Sequence, residues 1–252
     1  MTNQDFILIH GWASDETIWL ETREYLQKKH RVFALNLPHS INLDTYWQAV
    51  LQLMKNQDLK QVILMGWSMG ALVALQVAKR FPENIKGLVL VSGTSKFVSE
   101  TPRKDSRQDY PGGIPAVLVY RMEKRLAKNR LQTFQDFYRL MFSPQERAKG
   151  LDLEIMEKYL LQGRRWSTEE ALAGLKFLLE CDTRADLEAI TCPVLLIHGE
   201  DDEICPLAGA AFITTKLKGQ MVVFPGSGHM PFLTNSNDFY KCLMEWVDEQ
   251  WQ

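Results

Sequence analysis

Short, almost unbroken apolar runs alternate with longer amphipathic stretches along this chain. Six of the runs read as strands: Phe6–Ile9, Val32–Leu35, Val62–Met65, Gly87–Val91, Val194–His198 and Met221–Phe224. Strands that are apolar at consecutive positions have both faces covered, the pattern of a parallel sheet with helices on either side. The rhythm breaks between Ser92 and Cys192. Helical patterns follow one another there, at Ile114–Lys128, Arg130–Phe142, Leu151–Gln162 and Ser167–Cys181, with no strand between them. An all-helical insertion of this kind reads as a lid over the strand ends, where parallel sheets bind ligands. The predicted fold class is therefore α/β: a mostly parallel sheet of about six strands flanked by helices, with the lid inserted after the fourth. Residues 1–94 and 168–252 form the expected core and residues 95–167 the lid, with the segment near Thr168–Leu179 returning to the sheet.

One turn stands out against this pattern. Gly66-Trp67-Ser68-Met69-Gly70 fits G-x-S-x-G, directly after the strand Gln61–Met65 and directly before a helical stretch from Ala71 to Phe81 that Pro82 closes. A serine on a sharp strand-to-helix turn is lifted out of the sheet, and glycine tolerates the close backbone contacts on either side. The helix start also presents free N–H groups and a positive dipole end. A serine hydroxyl becomes a nucleophile when a base takes its proton and a carboxylate orients that base, and in such folds the chain order is Ser, acid, His. His198-Gly199-Glu200-Asp201-Asp202 offers the acid after the fifth strand, with Asp202 in the better register and Asp201 as the alternative. Gly226-Ser227-Gly228-His229 offers the base after the sixth. Two N–H donors for a tetrahedral oxyanion are expected from Met69, next to the serine, and from Trp12, which follows His10-Gly11 at the end of the first strand. The indoles of Trp12 and Trp67 would wall the site. His10 and His198 read as packed or turn-stabilising groups, with His30 at a charged helix end and His39 in a loop.

Composition narrows the class. A chain of 252 residues with 46% hydrophobic and 24% charged content is ordinary for an enzyme of one α/β domain. The first residues hold one short apolar run, so neither a signal peptide nor a membrane span is expected. Four cysteines without metal-type spacing read as free thiols of a cytoplasmic protein. The chemistry calls for no metal or organic cofactor, and a net charge of −2 gives no argument for nucleic acid.

These residues resemble the α/β-hydrolase superfamily over the whole chain. Within it they are most similar to the pimeloyl-[acyl-carrier protein] methyl ester esterases of biotin synthesis. The narrower likeness rests on His10-Gly11-Trp12, on the tryptophan inside the serine motif, on the segment Asp109-Tyr110-Pro111-Gly112-Gly113-Ile114, and on Phe137-Tyr138-Arg139-Leu140-Met141. The resemblance implies Ser68 as nucleophile, Asp202 as acid and His229 as base. It also implies Trp12 and Met69 at the ester carbonyl, and Phe137, Tyr138, Arg139, Leu140 and Met141 along an acyl channel. Two departures stand out. Asn36-Leu37-Pro38-His39-Ser40 replaces the D-L-P-G-x-G-x-S of many relatives, and the N-terminal hairpin of many relatives is missing.

The whole-chain charge hides an asymmetry. Between residues 95 and 165 there are fifteen basic and nine acidic side chains, an excess of six positive charges within a chain of net −2. A basic lid over an apolar pocket suits an acyl chain delivered by an acidic acyl-carrier protein, with Arg121, Arg125 and Arg130 as candidate contacts. The alternatives within the same fold are a small-molecule ester, lactone or carbon–carbon bond hydrolase and, less in keeping with an intact Ser–Asp–His set, a non-catalytic ligand-binding module.

Overall fold

A computed structural model of the chain describes residues 3–38, 44–99, 110–161 and 166–251. The six apolar runs all become strands, each one or two residues longer than its hydrophobic stretch: β1 (Asp5–Ile9), β2 (Arg31–Leu35), β3 (Val62–Trp67), β4 (Ile85–Val91), β5 (Val194–Gly199) and β6 (Gln220–Phe224). They form one sheet in the order β2-β1-β3-β4-β5-β6, with every pairing parallel. Every residue of β3 and β5 is buried, whereas the edge strands β2 and β6 are partly open. That difference is why the inner runs are the most continuously apolar.

Helices α1 (Leu20–Leu26), α2 (Thr45–Asn56) and α3 (Met69–Arg80) follow the first three strands. After β4 come α4 (Ala116–Lys128), α5 (Arg130–Leu140), α6 (Pro144–Ala148) and α7 (Leu151–Ile155), then α8 (Thr168–Glu180), which leads back to β5. The core closes with α9 (Leu207–Leu217), α10 (Pro231–Thr234) and α11 (Ser236–Gln250). None of the described helices is long and apolar enough to cross a membrane.

Two of the inserted helices are shorter than their periodicity. The Arg130–Phe142 pattern stops at Leu140, and a separate turn of helix starts at Pro144. Ser143 caps that turn in a reciprocal box with Glu146, and Pro144 takes the first helical position, where a missing N–H costs nothing. The Leu151–Gln162 pattern is helical only to Ile155 and then widens into a π-helical turn over Met156–Leu160; Gln162 lies outside the described residues. Helix α8 packs against α4 and also against the core, with Phe177 edge-on to Tyr46 at 4.9 Å. Its Gly174 lies so close to Trp12 that an added Cβ would be 2.4 Å from the indole. Isolated bridges fasten the start of the insertion, Lys96 to Asp182 just past α8 and Val98 to Ile114 just before α4.

Strand order places the site. The chain steps outward from β1 to β2 and returns on the other side of β1 as β3, so the direction of winding reverses between β1 and β3. Loops leaving adjacent strands on opposite sides of such a point diverge and leave a crevice at the carboxyl ends. The two loops there are His10–Trp12, after β1, and the serine turn, after β3.

Candidate active site

Ser68 sits between β3 and α3 with φ 56° and ψ −117°, a backbone conformation that costs a non-glycine residue about 1–3 kcal/mol. Its surroundings hold it there. The Ser68 N–H donates to Val91 O at 3.0 Å, and its carbonyl accepts from Ala71 N at 2.9 Å. The flanking glycines permit the turn: a Cβ on Gly66 would lie 2.3 Å from Gly70 O, and one on Gly70 would lie 2.3 Å from Ile9 O. Both obstacles are backbone and cannot step aside. Gly70→Ala is therefore expected to lower stability by about 1–3 kcal/mol and to displace the serine turn from β1, read as a lower Tm together with lost esterase activity.

His229 and Asp202 meet at the ends of β6 and β5. His229 Nδ1 lies 2.7 Å from Asp202 Oδ2, and both side chains are fully buried. The other carboxylate oxygen, Oδ1, accepts from Ile204 N and Cys205 N at 2.9 Å each. Burial pushes the Asp202 carboxyl upward, but the His229 charge and hydrogen bond, His198 and the Cys205 N–H outweigh it and hold the group below its ordinary value. An ionised carboxylate at this distance fixes the proton on Nδ1 and leaves Nε2 as the basic nitrogen. Nε2 is buried and has no hydrogen-bond partner among the described residues. Asp201, the sequence alternative, is exposed; its backbone N–H binds Ser227 O at 2.9 Å. The pair thus uses Asp202.

The serine turn and the histidine loop are joined directly. Trp67 Nε1 donates to His229 O at 2.9 Å, and the two rings lie 5.5 Å apart. Burial and the Asp202 charge push the buried Cys205 thiol beside this site well above its ordinary value. Cys205 is therefore a protonated neighbour and not a rival nucleophile.

A cavity of about 290 Å³ opens on Ser68 and runs between Trp12 and the inserted helices. Its walls are apolar, with Phe97, Leu118, Phe137, Leu175, Leu178 and Ile204 among them, and Arg121, Arg125 and Glu203 also border it. Trp12 is pinned by Nε1–H donation to Ala171 O at 2.9 Å and by edge-on contacts with Phe134 and Phe137 at 5.7 and 4.8 Å. The Met69 side chain is fully buried, so it can offer only its main-chain N–H, at the open start of α3.

Several lid expectations need correction. Of the five residues Phe137–Met141, Phe137 and Leu140 line the cavity and the other three do not. A helix turns by about 100° per residue, so five in a row cannot share a face. Tyr138 instead donates to Ala13 O at 2.8 Å, Arg139 is exposed, and Met141 uses its carbonyl to accept from His229 N at 2.7 Å. Arg121 and Arg125 reach the cavity, but Arg130 does not; it donates to Trp166 O at 2.7 Å, and Trp166 in turn donates to Ser14 O at 2.9 Å. Arg130 is a brace for the loop after β1. Arg125 is also paired with Asp136. Arg103, Lys104, Arg107, Asp109, Arg164 and Arg165 lie outside the described residues.

The remaining histidines are structural, with one qualification. His10 Nδ1 donates to Gly11 O at 2.8 Å while Nε2 accepts from Leu37 N at 3.0 Å, which shapes the loop carrying Trp12. His30 Nδ1 accepts from Gln4 N at 3.3 Å, and His39 lies outside the described residues. His198 touches the acid, with Nε2 3.4 Å from Asp202 Oδ2 and 2.7 Å from Cys205 O. Burial lowers its pKa against the pull of the Asp202 charge and the Cys205 carbonyl. Its place at the end of β5, four residues before Asp202, was the sequence signal for that contact. Among the described residues no group of three His, Cys, Asp or Glu side chains is placed to hold a metal ion.

Comparison with known proteins agrees with this geometry. The family model described as alpha/beta hydrolase fold matches residues 6–236. The pimeloyl-[acyl-carrier protein] methyl ester esterase of Nitrosomonas europaea is 32% identical over 244 residues, covering 95% of this chain and 94% of the relative. The enzyme of the same name from Yersinia pseudotuberculosis is 28% identical over 250 residues, covering 97% and 93%. Among solved structures, an esterase from Exiguobacterium antarcticum superimposes with a TM-score of 0.83 at 21% identity, covering 98% of this chain and 92% of that one. An enol-lactonase from Burkholderia xenovorans gives 0.80 at 15% identity, covering 98% and 92%; both are likenesses of fold.

Proposed function

We propose that this chain, which belongs to the alpha/beta hydrolase family, is a carboxylic ester hydrolase that uses Ser68 as nucleophile, His229 as general base and Asp202 as the acid that orients it. The observation that carries the reading is the fully buried His229–Asp202 pair, with an unpartnered Nε2, joined to the serine turn through Trp67 Nε1. Ser68 Oγ attacks the ester carbonyl as Nε2 takes its proton. The oxyanion settles on the N–H groups of Trp12 and Met69, where preorganised donors are worth most because they need no reorganisation. His229 then returns the proton to the departing alcohol, and water, activated by the same nitrogen, releases the acid from the acyl-enzyme. The Ser68–His229 bond closes when substrate enters, as catalytic hydrogen bonds commonly tighten in the Michaelis complex.

The substrate in this reading is the methyl ester of pimeloyl-acyl-carrier protein, in the cytoplasm, as a step of biotin synthesis. It is supported by the names of relatives such as the Nitrosomonas europaea enzyme and by the apolar cavity bordered by Arg121 and Arg125. Residues 95–167 act as the lid on a core of residues 1–94 and 168–252. The methyl ester end sits at Ser68 and the acyl chain fills the cavity. The acidic carrier stays outside, steered by the lid charges.

Reversing Arg121 and Arg125 to Glu is expected to lower kcat/KM for the carrier-linked ester about tenfold at low salt, with the gap narrowing as salt shortens the Debye length to about 8 Å. Hydrolysis of p-nitrophenyl butyrate by the same variant should stay within a few-fold of wild type, because a neutral ester gains nothing from steering. Equal losses on the two substrates would mean damage to the lid, and no loss on either would remove the carrier from the proposal. Arg130 is left out of the test because its bond to Trp166 is structural.

A further inference from the structure

We propose that Glu146, on the inserted helix α6, is a positioning residue for His229; this rests on the reading of His229 as the base. A glutamate at the third position of a capping box ordinarily binds one backbone N–H at a helix start. Glu146 does this, with Oε2 accepting from Ser143 N at 2.8 Å, yet the residue is only 3% exposed and its carboxylate takes two more donors. Ser227 Oγ donates to Oε1 at 2.8 Å and Gly228 N donates to Oε2 at 3.0 Å. Both belong to the loop that ends at His229.

The contact is part of a longer seam. Ser143 Oγ donates to Gly226 O at 2.6 Å and His229 N donates to Met141 O at 2.7 Å. Every residue from Gly226 to His229 is thus bonded to the lid segment between Met141 and Glu146. There is no slack in it: a Cβ on Gly228 would lie 2.3 Å from Met141 O and 2.8 Å from Ser143 N. From the opposite side, Trp67 Nε1 holds His229 O and Asp201 N holds Ser227 O, each at 2.9 Å. The loop is a clamp with core on one jaw and lid on the other, and Glu146 supplies two of the lid's bonds. No described cation pairs with Glu146, so its oxygens are committed to these donors. Removing the carboxylate strands Gly228 N–H and Ser143 N–H without partners. The loop then has reason to move, and imidazole displacement of about 1 Å is enough to cost on the order of 10²-fold in rate.

The test compares Glu146→Ala and Glu146→Gln with wild type and Ser68→Ala, all assayed below their melting temperatures. Readouts are p-nitrophenyl butyrate kinetics, the rate of fluorophosphonate labelling, and the low-field proton resonance of the His229–Asp202 hydrogen bond. Glutamine keeps its oxygen on the two N–H groups and offers its NH2 to Ser227 Oγ, whose own proton can turn to Thr234 Oγ1 at 3.2 Å. We expect Glu146→Ala to lose about 10–100-fold in kcat and in labelling rate with KM within about twofold, and to lose the resonance. Glu146→Gln should return to within about threefold on each measure. Glu146→Ala that keeps wild-type kcat and resonance, or Glu146→Gln as impaired as alanine, overturns the proposal. If Glu146→Ala does not fold, Ser227→Ala decides the question, with a loss of about 3–10-fold in kcat expected and none contradicting it. Activity retained by Ser68→Ala would instead overturn the nucleophile assignment, whatever the Glu146 variants do.

Discussion

Replacing Ser68 with alanine is expected to abolish ester hydrolysis, with kcat falling on the order of 10⁶-fold. The size follows from how the parts work together. Without the hydroxyl there is no acyl-enzyme, and His229 and Asp202 have nothing to activate, so the residual rate is that of a bound ester beside two N–H donors. The variant should fold normally. Alanine is as strained as serine at φ 56°, and the backbone bond from residue 68 to Val91 O remains. Steady-state kinetics on p-nitrophenyl butyrate and a thermal melt check both halves. More than a few per cent of wild-type kcat at an unchanged Tm would remove Ser68 from the chemistry.

The second large effect is expected at Asp202. Its two oxygens have separate duties, since Oδ1 accepts from Ile204 N and Cys205 N while Oδ2 faces His229 Nδ1. In Asp202→Asn the carbonyl oxygen must take the first position, because two N–H groups point at it. The NH2 is then forced onto Nδ1. That donor favours the imidazole tautomer with its proton on Nε2, the nitrogen that has to accept from Ser68. Loss on the order of 10⁴-fold in kcat is expected, with KM little changed, as for the corresponding change in the serine-protease triad. Asp201→Asn is the control and should remain within about twofold, since Asp201 is exposed and works only through its backbone N–H. A larger loss at Asp201 than at Asp202 would contradict this geometry.

The sheet and the serine turn were legible in the sequence for a physical reason. Strands covered on both faces must be apolar at consecutive positions, and an elbow that brings Gly70 against Ile9 O admits no side chain at that point. The choice between Asp201 and Asp202 was less accessible, because both follow the same strand and only the side chain that turns inward meets His229. The lid was harder still. Its helices were readable as periodicity, but Phe137–Met141 could not be sorted into cavity, core and solvent without knowing what α5 packs against. Arg121, Arg125 and Arg130 look alike as charges, yet Arg130 spends its guanidinium on a buried carbonyl. Glu146 is the extreme case. Ser143-Pro144-Gln145-Glu146 is a recognisable helix start, but its second set of partners lies about eighty residues away, at Ser227 and Gly228. Long-range pairing of that kind leaves no local pattern to read.

The most direct test of the proposed activity is an intact-mass measurement on acyl-carrier protein bearing the methyl ester of a pimeloyl chain, after incubation with wild-type enzyme and with Ser68→Ala. Wild type is expected to leave the chain on the carrier, to convert its methyl ester to the free acid with release of methanol, and to form a transient acyl adduct on Ser68. The alanine variant should leave the substrate unchanged. Release of the chain from the carrier by cleavage of the thioester, or a carrier-linked methyl ester that wild-type enzyme leaves intact, would contradict the assignment.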